Sequence, residues 1–225
     1  MGPIFRAVAD HAVLVEFGTE ISAPVHEAVV RLDRALALSP FAGFGEAIPG
    51  FVNLLVDFDP MVTDHAAVEA HLRGLLQHPA AVGGMAALRE VLVCYDDDFA
   101  PDLAEVAART GLAREAVIAA HLAGQYEVFM YGFAPGYAYL AGVPEAIRLD
   151  RKPAPLRGIA AGSVIIAGPQ CLVTTMVMPT GWWIIGRSPT QVLTGDAARP
   201  FLFDVGDRVA FRRVDRAGYL AAGGM

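Results

Sequence analysis

The chain has 225 residues, a formal net charge of −7 and a hydrophobic content of 55%, enough to build a substantial core. The acidic balance argues against generic binding to nucleic acid or anionic membrane, because both depend on neutralising phosphates. Two cysteines, Cys94 and Cys171, sit in apolar runs outside any CxxC or spaced-histidine pattern, which excludes a zinc motif and reads as buried free thiols.

In chain order, His11–Phe17 reads as a strand and 23–38 as a helix with Val25, Val29, Leu32 and Leu36 at helical spacing. Phe51–Phe58 is a second strand, and Asp64 is placed to cap a helix over His65–Leu76. This order predicts a small α/β sandwich domain over residues 1–86, with 79–85 as its linker. Glu90–Tyr95 opens a second domain, 87–225. Two helices follow, Asp102–Thr110 and Ala113–Leu122, hinged at Gly111. They resemble a helix-turn-helix, but the second offers only Arg114 and His121 toward a base edge, so an ordinary helical hairpin is expected. Short strands with turn residues between them come next: Tyr126–Tyr131, Ser163–Ala167, Leu172–Met176, Trp182–Gly186 and Asp207–Arg212. This texture predicts an antiparallel sheet or barrel, hence an α+β chain overall. The final Ala-Ala-Gly-Gly-Met is expected to fray. No basic leader with an apolar run and no stretch of 18 apolar residues is present, and a cytoplasmic location is expected.

Three places draw attention as sites. The loop MYGFAPGYAYLAG (130–142) is too rich in glycine for a helix and too interrupted for an ordinary strand. Gly132, Gly136 and Gly142 permit positive φ or close approach, Pro135-Gly136 makes a turn, and Phe133, Tyr137 and Tyr139 supply aromatic faces. Such a loop suits an anion, a planar ligand or a docking surface, and equally a corner of a barrel. Pro179-Thr180-Gly181 leads into Trp182-Trp183-Ile184-Ile185-Gly186-Arg187. Strand alternation puts Trp182, Ile184 and Gly186 on one face and Trp183, Ile185 and Arg187 on the other. Arg187 is either an anchor for carboxylate or phosphate, or an exposed strand-end arginine. His121 is either a helix-end histidine set against the dipole or an acid–base group beside the loop. There is no phosphate-binding GxxxxGK[ST] and no GxSxG.

Taken in order, GFAPGYAYLAG (132–142), AAGSVIIAGPQ (160–170), PTGWWIIGRSP (179–189) and VGDRVAF (205–211) resemble the Kip inhibitor / 5-oxoprolinase B-subunit family, also called allophanate hydrolase subunit 1. Upstream, DHAVLVEFG (10–18), IPGFVNLLVDFDP (48–60) and PDLAEVA (101–107) match as well. The resemblance implies a small N-terminal α/β domain followed by a cyclophilin-like antiparallel β-barrel. It further implies two partners, a homologous cyclophilin-like barrel known as the C subunit, and an A subunit. Together they cleave 5-oxo-L-proline to L-glutamate with ATP, shared with the partner subunits, and Mg. One member is instead described as an inhibitor of a sporulation histidine kinase, and an allophanate hydrolase-like amidase is a further alternative. On this resemblance His121 and Arg187 become candidate catalytic residues. Gly132, Phe133, Pro135, Gly136, Tyr139, Gln170, Gly181 and Trp182 become candidate substrate contacts, and no residue is a metal ligand. Thr180 stands where the family shows glycine, Thr174-Thr175 where it shows an aromatic-Pro pair, and Asp150-Arg151 and Pro155-Leu156 where it shows two Pro-Arg pairs.

Overall fold

In the computed structural model, residues 2–77 and 86–225 are described, and the linker expected at 79–85 lies outside them. The chain divides into two compact units, 1–85 and 86–225.

The first unit runs β1 (Ile4–Val8), β2 (Ala12–Glu16), α1 (Ala23–Leu38), β3 (Phe44–Pro49), β4 (Asn53–Phe58) and α2 (His65–Gln77). Its sheet has the order β1-β2-β4-β3 and every neighbouring pair is antiparallel. The two central strands are those expected from the sequence, while the edges β1 and β3 are additional. Edge strands carry no clean alternation, and β3 contains Gly45 and ends on Pro49, residues that suit an edge alone. Helix α1 starts with proline in its first turn, where the missing N–H is not needed. Its buried stripe of Val29, Leu32 and Leu36 packs with Val13, Val15, Leu54, Val56 and Phe58 of the sheet and Val68 and Leu72 of α2. Asp64 accepts the Ala67 N–H at 2.9 Å, the expected cap.

The second unit comprises β5 (Leu88–Val93), α3 (Leu103–Thr110), α4 (Arg114–Ala123), β6 (Tyr126–Tyr131), β7 (Ala138–Ala141), β8 (Leu156–Ile159), β9 (Ser163–Ala167), β10 (Gln170–Val173), β11 (Met178–Thr180), β12 (Trp183–Arg187), β13 (Arg208–Arg213) and α5 (Arg216–Ala221). Seven strands form one sheet in the order β12-β9-β10-β7-β6-β13-β5, while β8 and β11 pair separately. Its two edges meet where Cys94 and Arg187 exchange both backbone hydrogen bonds, 2.8 and 2.9 Å, so the sheet closes into a barrel. One neighbouring pair departs from the antiparallel expectation: β13 returns beside β5 in the same direction. Parallel strands need a long crossover, and here α3, α4 and the rest of the barrel supply it. The interior holds Val91, Val93, Val128, Leu140, Val164, Ile166, Trp183 and Ile185, with Leu103, Val106, Val117 and Ile118 of α3 and α4. The two helices turn at Gly111 in the left-handed region (φ +71°), an ordinary helical hairpin.

The terminal residues, expected to fray, make defined contacts. Asp215 caps α5 by accepting the Gly218 N–H at 2.8 Å, and the Tyr219 hydroxyl donates to the Met225 carbonyl at 3.1 Å. Among the described residues no helix is long and apolar enough to cross a membrane.

Barrel closure depends on a glycine. A Cβ at Gly186 would lie 2.6 Å from Val93 Cγ1 and 3.1 Å from the Cys94 carbonyl oxygen. Gly186→Ala is therefore expected to destabilise the chain by about 1–3 kcal/mol, as overpacking does, read as a lower denaturation midpoint at unchanged slope. A midpoint equal to that of the parent would show that the closure tolerates the methyl group.

Candidate functional site

The loop between β6 and β7 is rigid by construction. Gly132 donates to the Tyr137 carbonyl at 3.2 Å, Ala134 to Gly132 at 2.9 Å and Tyr137 to Ala134 at 3.0 Å. These donors are used inside the loop, so it acts more as a wall than as a cradle of free N–H groups. Gly136 has φ +72°, as its Pro-Gly turn demands, and Thr175 donates its hydroxyl to the Pro135 carbonyl at 2.7 Å. Phe133 also adopts a positive φ, +71°, and its ring stays 73% exposed. A non-glycine residue is strained in such a conformation and keeps it where the surroundings enforce it.

The loop forms one side of a groove of about 320 Å³, floored by Ile165 and Leu172. The turn through Thr180, Gly181 and Trp182 lines it too, as do Arg151 and Lys152. Alternation along β12 explains the floor and the wall. Trp183 and Ile185 face the barrel interior, whereas Trp182 and Ile184 face outward and pack with Tyr137, Ile165 and Leu172. Tyr139 meets the Trp182 ring edge-on at 5.9 Å, and the Arg151 guanidinium lies 5.6 Å above that ring. No ion pair to Arg151 is found among the described residues, so its charge is available to a ligand. Lys152 is held differently. Its Nζ donates to Asp102 Oδ2 at 2.5 Å, its N–H donates to the Gly181 carbonyl at 2.7 Å, and its ammonium sits 5.2 Å from the Trp183 ring. The same Asp102 oxygen accepts the Ile184 N–H at 2.6 Å. Burial pushes the Tyr137 phenol up to about 12 and also raises Tyr139, so both remain protonated hydrogen-bond donors at neutral pH.

Thr180 causes no strain: it lies outside the left-handed region, and its hydroxyl oxygen accepts the Trp182 N–H at 3.1 Å. Thr174 is likewise absorbed, donating to the Ala160 carbonyl at 2.8 Å and accepting the Ser163 N–H at 2.9 Å.

The structure thus brings together Phe133, Tyr139, Gly181 and Trp182, while Gly132, Pro135 and Gly136 shape the loop from behind. Three of the expected site residues lie elsewhere. Gln170 starts β10 after the Gly168-Pro169 turn, paired with Ala141 and Ala167, and does not line the groove. Arg187 lines a different cleft. The reason is a bulge in β12: Ile184 pairs with Ile165, but Gly186 pairs with Val164. The extra residue shifts the alternation, so Gly186 joins the inner face and Arg187 turns outward, the reverse of the expected faces. His121 has no solvent exposure. Its Nδ1 lies 2.7 Å from the Tyr95 hydroxyl, its Nε2 3.6 Å from Cys171 Sγ, and its ring packs 4.5 Å from that of Phe211. A ring sealed in the barrel core cannot touch a ligand in either cleft, so the acid–base role expected of it does not fit this placement. Arg151 and Lys152 are groove residues that the expected set does not contain, whereas Tyr137, read as an aromatic face of the loop, lines the groove as well. The one available signal is that Lys152 is the chain's sole lysine, next to an arginine.

Burial holds His121 well below the ordinary histidine value, at about 3. The unfolded chain takes up this proton near pH 6.5 and the folded chain does not, so stability falls as pH drops below about 6.5. Between pH 7 and 5 the loss from this group is about 2 kcal/mol. His121→Phe should flatten the pH dependence of the unfolding free energy over that interval. An unchanged slope would show that His121 is not what titrates.

The family model for the carboxyltransferase domain, subdomain C and D, matches residues 3–203. The B subunit of 5-oxoprolinase from Bacillus subtilis (strain 168) is 36% identical over 228 residues, 95% of this chain and 94% of that one. The 5-oxoprolinase B subunit from Escherichia coli O157:H7 is 32% identical over 205 residues, 91% of this chain and 93% of that one. Among solved structures, TTHA0988 superposes with a TM-score of 0.82 at 34% identity, over 92% of this chain but 40% of that chain. This chain therefore spans two fifths of that polypeptide. The Kluyveromyces lactis urea carboxylase matches with a TM-score of 0.73 at 16% identity, over 97% of this chain and 22% of that one, a likeness of fold alone. The barrel is of the cyclophilin-like, carboxyltransferase type.

Proposed function

The chain belongs to the 5-oxoprolinase B-subunit family of carboxyltransferase-domain proteins, and on that premise we propose that it is the B subunit of an ATP-dependent 5-oxoprolinase. In this reading it acts in the cytoplasm with two partners, the homologous C subunit, which is also a barrel, and the A subunit, and the complex cleaves 5-oxo-L-proline to L-glutamate. The observation that carries the reading is the match to 5-oxoprolinase B subunits over nearly the full length of both chains.

The groove suits this substrate class. A five-membered lactam offers a planar apolar ring, an amide and a carboxylate. In this reading the ring packs against the edge-on Tyr139–Trp182 pair, and Arg151, whose guanidinium lies over Trp182, holds the carboxylate. Tyr137 and Tyr139 line the same groove as neutral phenols. The apolar floor of Ile165 and Leu172 limits water around the ring, which strengthens each polar contact. The lactam carbonyl resists hydrolysis until activated, and ATP supplies that activation. The residues of this chain do not by themselves fit a nucleotide site. The sequence has no phosphate-binding loop, and among the described residues no group of three or more His, Cys, Asp or Glu is placed to hold a metal ion. ATP and Mg are accordingly assigned to the partner subunits or to a surface shared with them.

The test is ATP hydrolysis by this chain co-purified with homologues of the A and C subunits, with and without 5-oxo-L-proline. The reading predicts lactam-stimulated hydrolysis. A stable three-part complex whose ATP hydrolysis ignores 5-oxo-L-proline would sink it.

A further inference from the structure

Arg187 is the unusual arginine of the barrel. Other arginines of the same unit are paired: Arg213 with Glu115 at 2.6 Å, Arg216 with Asp98 at 2.8 Å and Arg89 with Asp207 at 2.8 Å. The Arg187 guanidinium has no ion pair and no hydrogen bond among the described residues, and its nearest aromatic contact is the Phe99 ring at 5.7 Å. Its Nε is shielded from solvent with no partner. Buried donors are nearly always satisfied, so an unsatisfied one on a charged group points to a missing acceptor.

The surroundings are built for that acceptor. Both backbone groups of Arg187 are fixed by Cys94 at barrel closure, and the β12 bulge turns the side chain outward. It lines a cleft of about 220 Å³ with Gly162, Thr175, Ser188 and Thr190, closed on one side by the Gly223–Met225 tail. The Ser188 hydroxyl oxygen accepts the Thr190 N–H at 3.0 Å, and that of Thr190 accepts the Leu92 N–H at 3.1 Å. Each hydroxyl therefore keeps its own proton to donate. Gly162 has φ +80°, and a Cβ there would lie 2.4 Å from the Ser188 carbonyl oxygen, so the segment approaches closely only because this residue is glycine. One guanidinium and two hydroxyl donors, with no Asp or Glu in the lining and, among the described residues, no ion pair between Arg187 and the terminal Met225, suit an oxyanion. The volume is below the roughly 300 Å³ at which sites for drug-sized ligands begin, which favours an ion or a molecule of amino-acid size.

We propose that the Arg187 cleft is a second, separate site that binds a small oxyanion, either inorganic phosphate or the carboxylate of an amino-acid-sized molecule. The site stands on its own geometry and does not depend on the reaction proposed for the groove.

The test titrates the full chain with inorganic phosphate and, separately, with L-glutamate at constant ionic strength. Backbone amide NMR shifts and the melting temperature are followed. Saturable shifts at Gly162 and Thr190 of the unmodified chain are expected with at least one of the two ligands, and the ligand that produces them identifies the source. In Arg187→Gln the Kd for that ligand should rise at least tenfold, while Arg151→Ala should leave it unchanged. The wild-type shifts need no variant, so a poorly folded Arg187→Gln does not remove the test. Shifts confined to Phe133 and Trp182, no saturable shift with either ligand, or equal affinity in a folded Arg187→Gln would each overturn the proposal.

Discussion

Arg151→Ala in the assembled complex lowers kcat/KM for 5-oxo-L-proline by roughly 10- to 100-fold, mainly through KM. That range is what loss of one charge-assisted hydrogen-bonding partner produces, about 1.5–3 kcal/mol. The effect falls on KM because a carboxylate anchor holds ground state and transition state alike. Arg151 is the groove cation free to do this. Lys152, its neighbour, has its ammonium committed to Asp102 at 2.5 Å. Arg151→Lys should recover part of the loss, since charge returns without the planar fork. Charge reversal in Arg151→Glu should be worse than alanine, because it places a carboxylate against the substrate's own. Equal kinetic constants for the parent and Arg151→Ala would move the carboxylate anchor off this residue.

Asp102→Ala produces the largest loss of stability expected of any single substitution at the groove, about 3–5 kcal/mol. The Asp102 side chain is 11% exposed and satisfies two donors at once, the Lys152 ammonium and the Ile184 N–H. Removing it leaves a cation unpaired beside the Trp183 ring and an orphaned strand N–H. Exposed pairs such as Arg73–Glu69 and Arg109–Glu105 are worth a few tenths of a kcal/mol, so they offer a control that should barely move the midpoint. Adding Lys152→Met to Asp102→Ala should restore much of the stability by removing the stranded charge. Failure of that rescue would mean that the Ile184 hydrogen bond, not the ion pair, carries the effect. The pair also serves the site, because Lys152 binds the Gly181 carbonyl through its own N–H and so fixes the turn that presents Trp182.

What could be read from the sequence follows the strength of the local signal. Ala23–Leu38, Tyr126–Tyr131 and Ser163–Ala167 have the same bounds in sequence and structure, because each combines a full apolar face with clear end signals. The strands β3, β7, β8 and β11 are short or interrupted by glycine or proline, and β1 is an edge strand with no buried alternating face to reveal it. Phe133, Tyr139, Gly181 and Trp182 could be read as neighbours lining one candidate groove because Pro-Gly and Pro-Thr-Gly turns announce where aromatic side chains are displayed. Arg187 was legible as an unusual cation, but not its direction, which a single bulged residue reverses. His121 reads as a polar residue at a helix end. Only closure of the barrel around α4 shows that it is a core residue held by Tyr95 and Cys171. Arg151 and Lys152 lie in an irregular segment with no periodicity, and a tertiary contact to Gly181 delivers them to the groove.

The central claim is that this chain is a working part of a lactam-opening complex. It is tested most directly by L-glutamate release from 5-oxo-L-proline and ATP, comparing the complete complex with the same partner subunits lacking this chain. ATP-dependent glutamate release is expected from the complete complex and none from the partners alone. Equal glutamate release with and without this chain would contradict it.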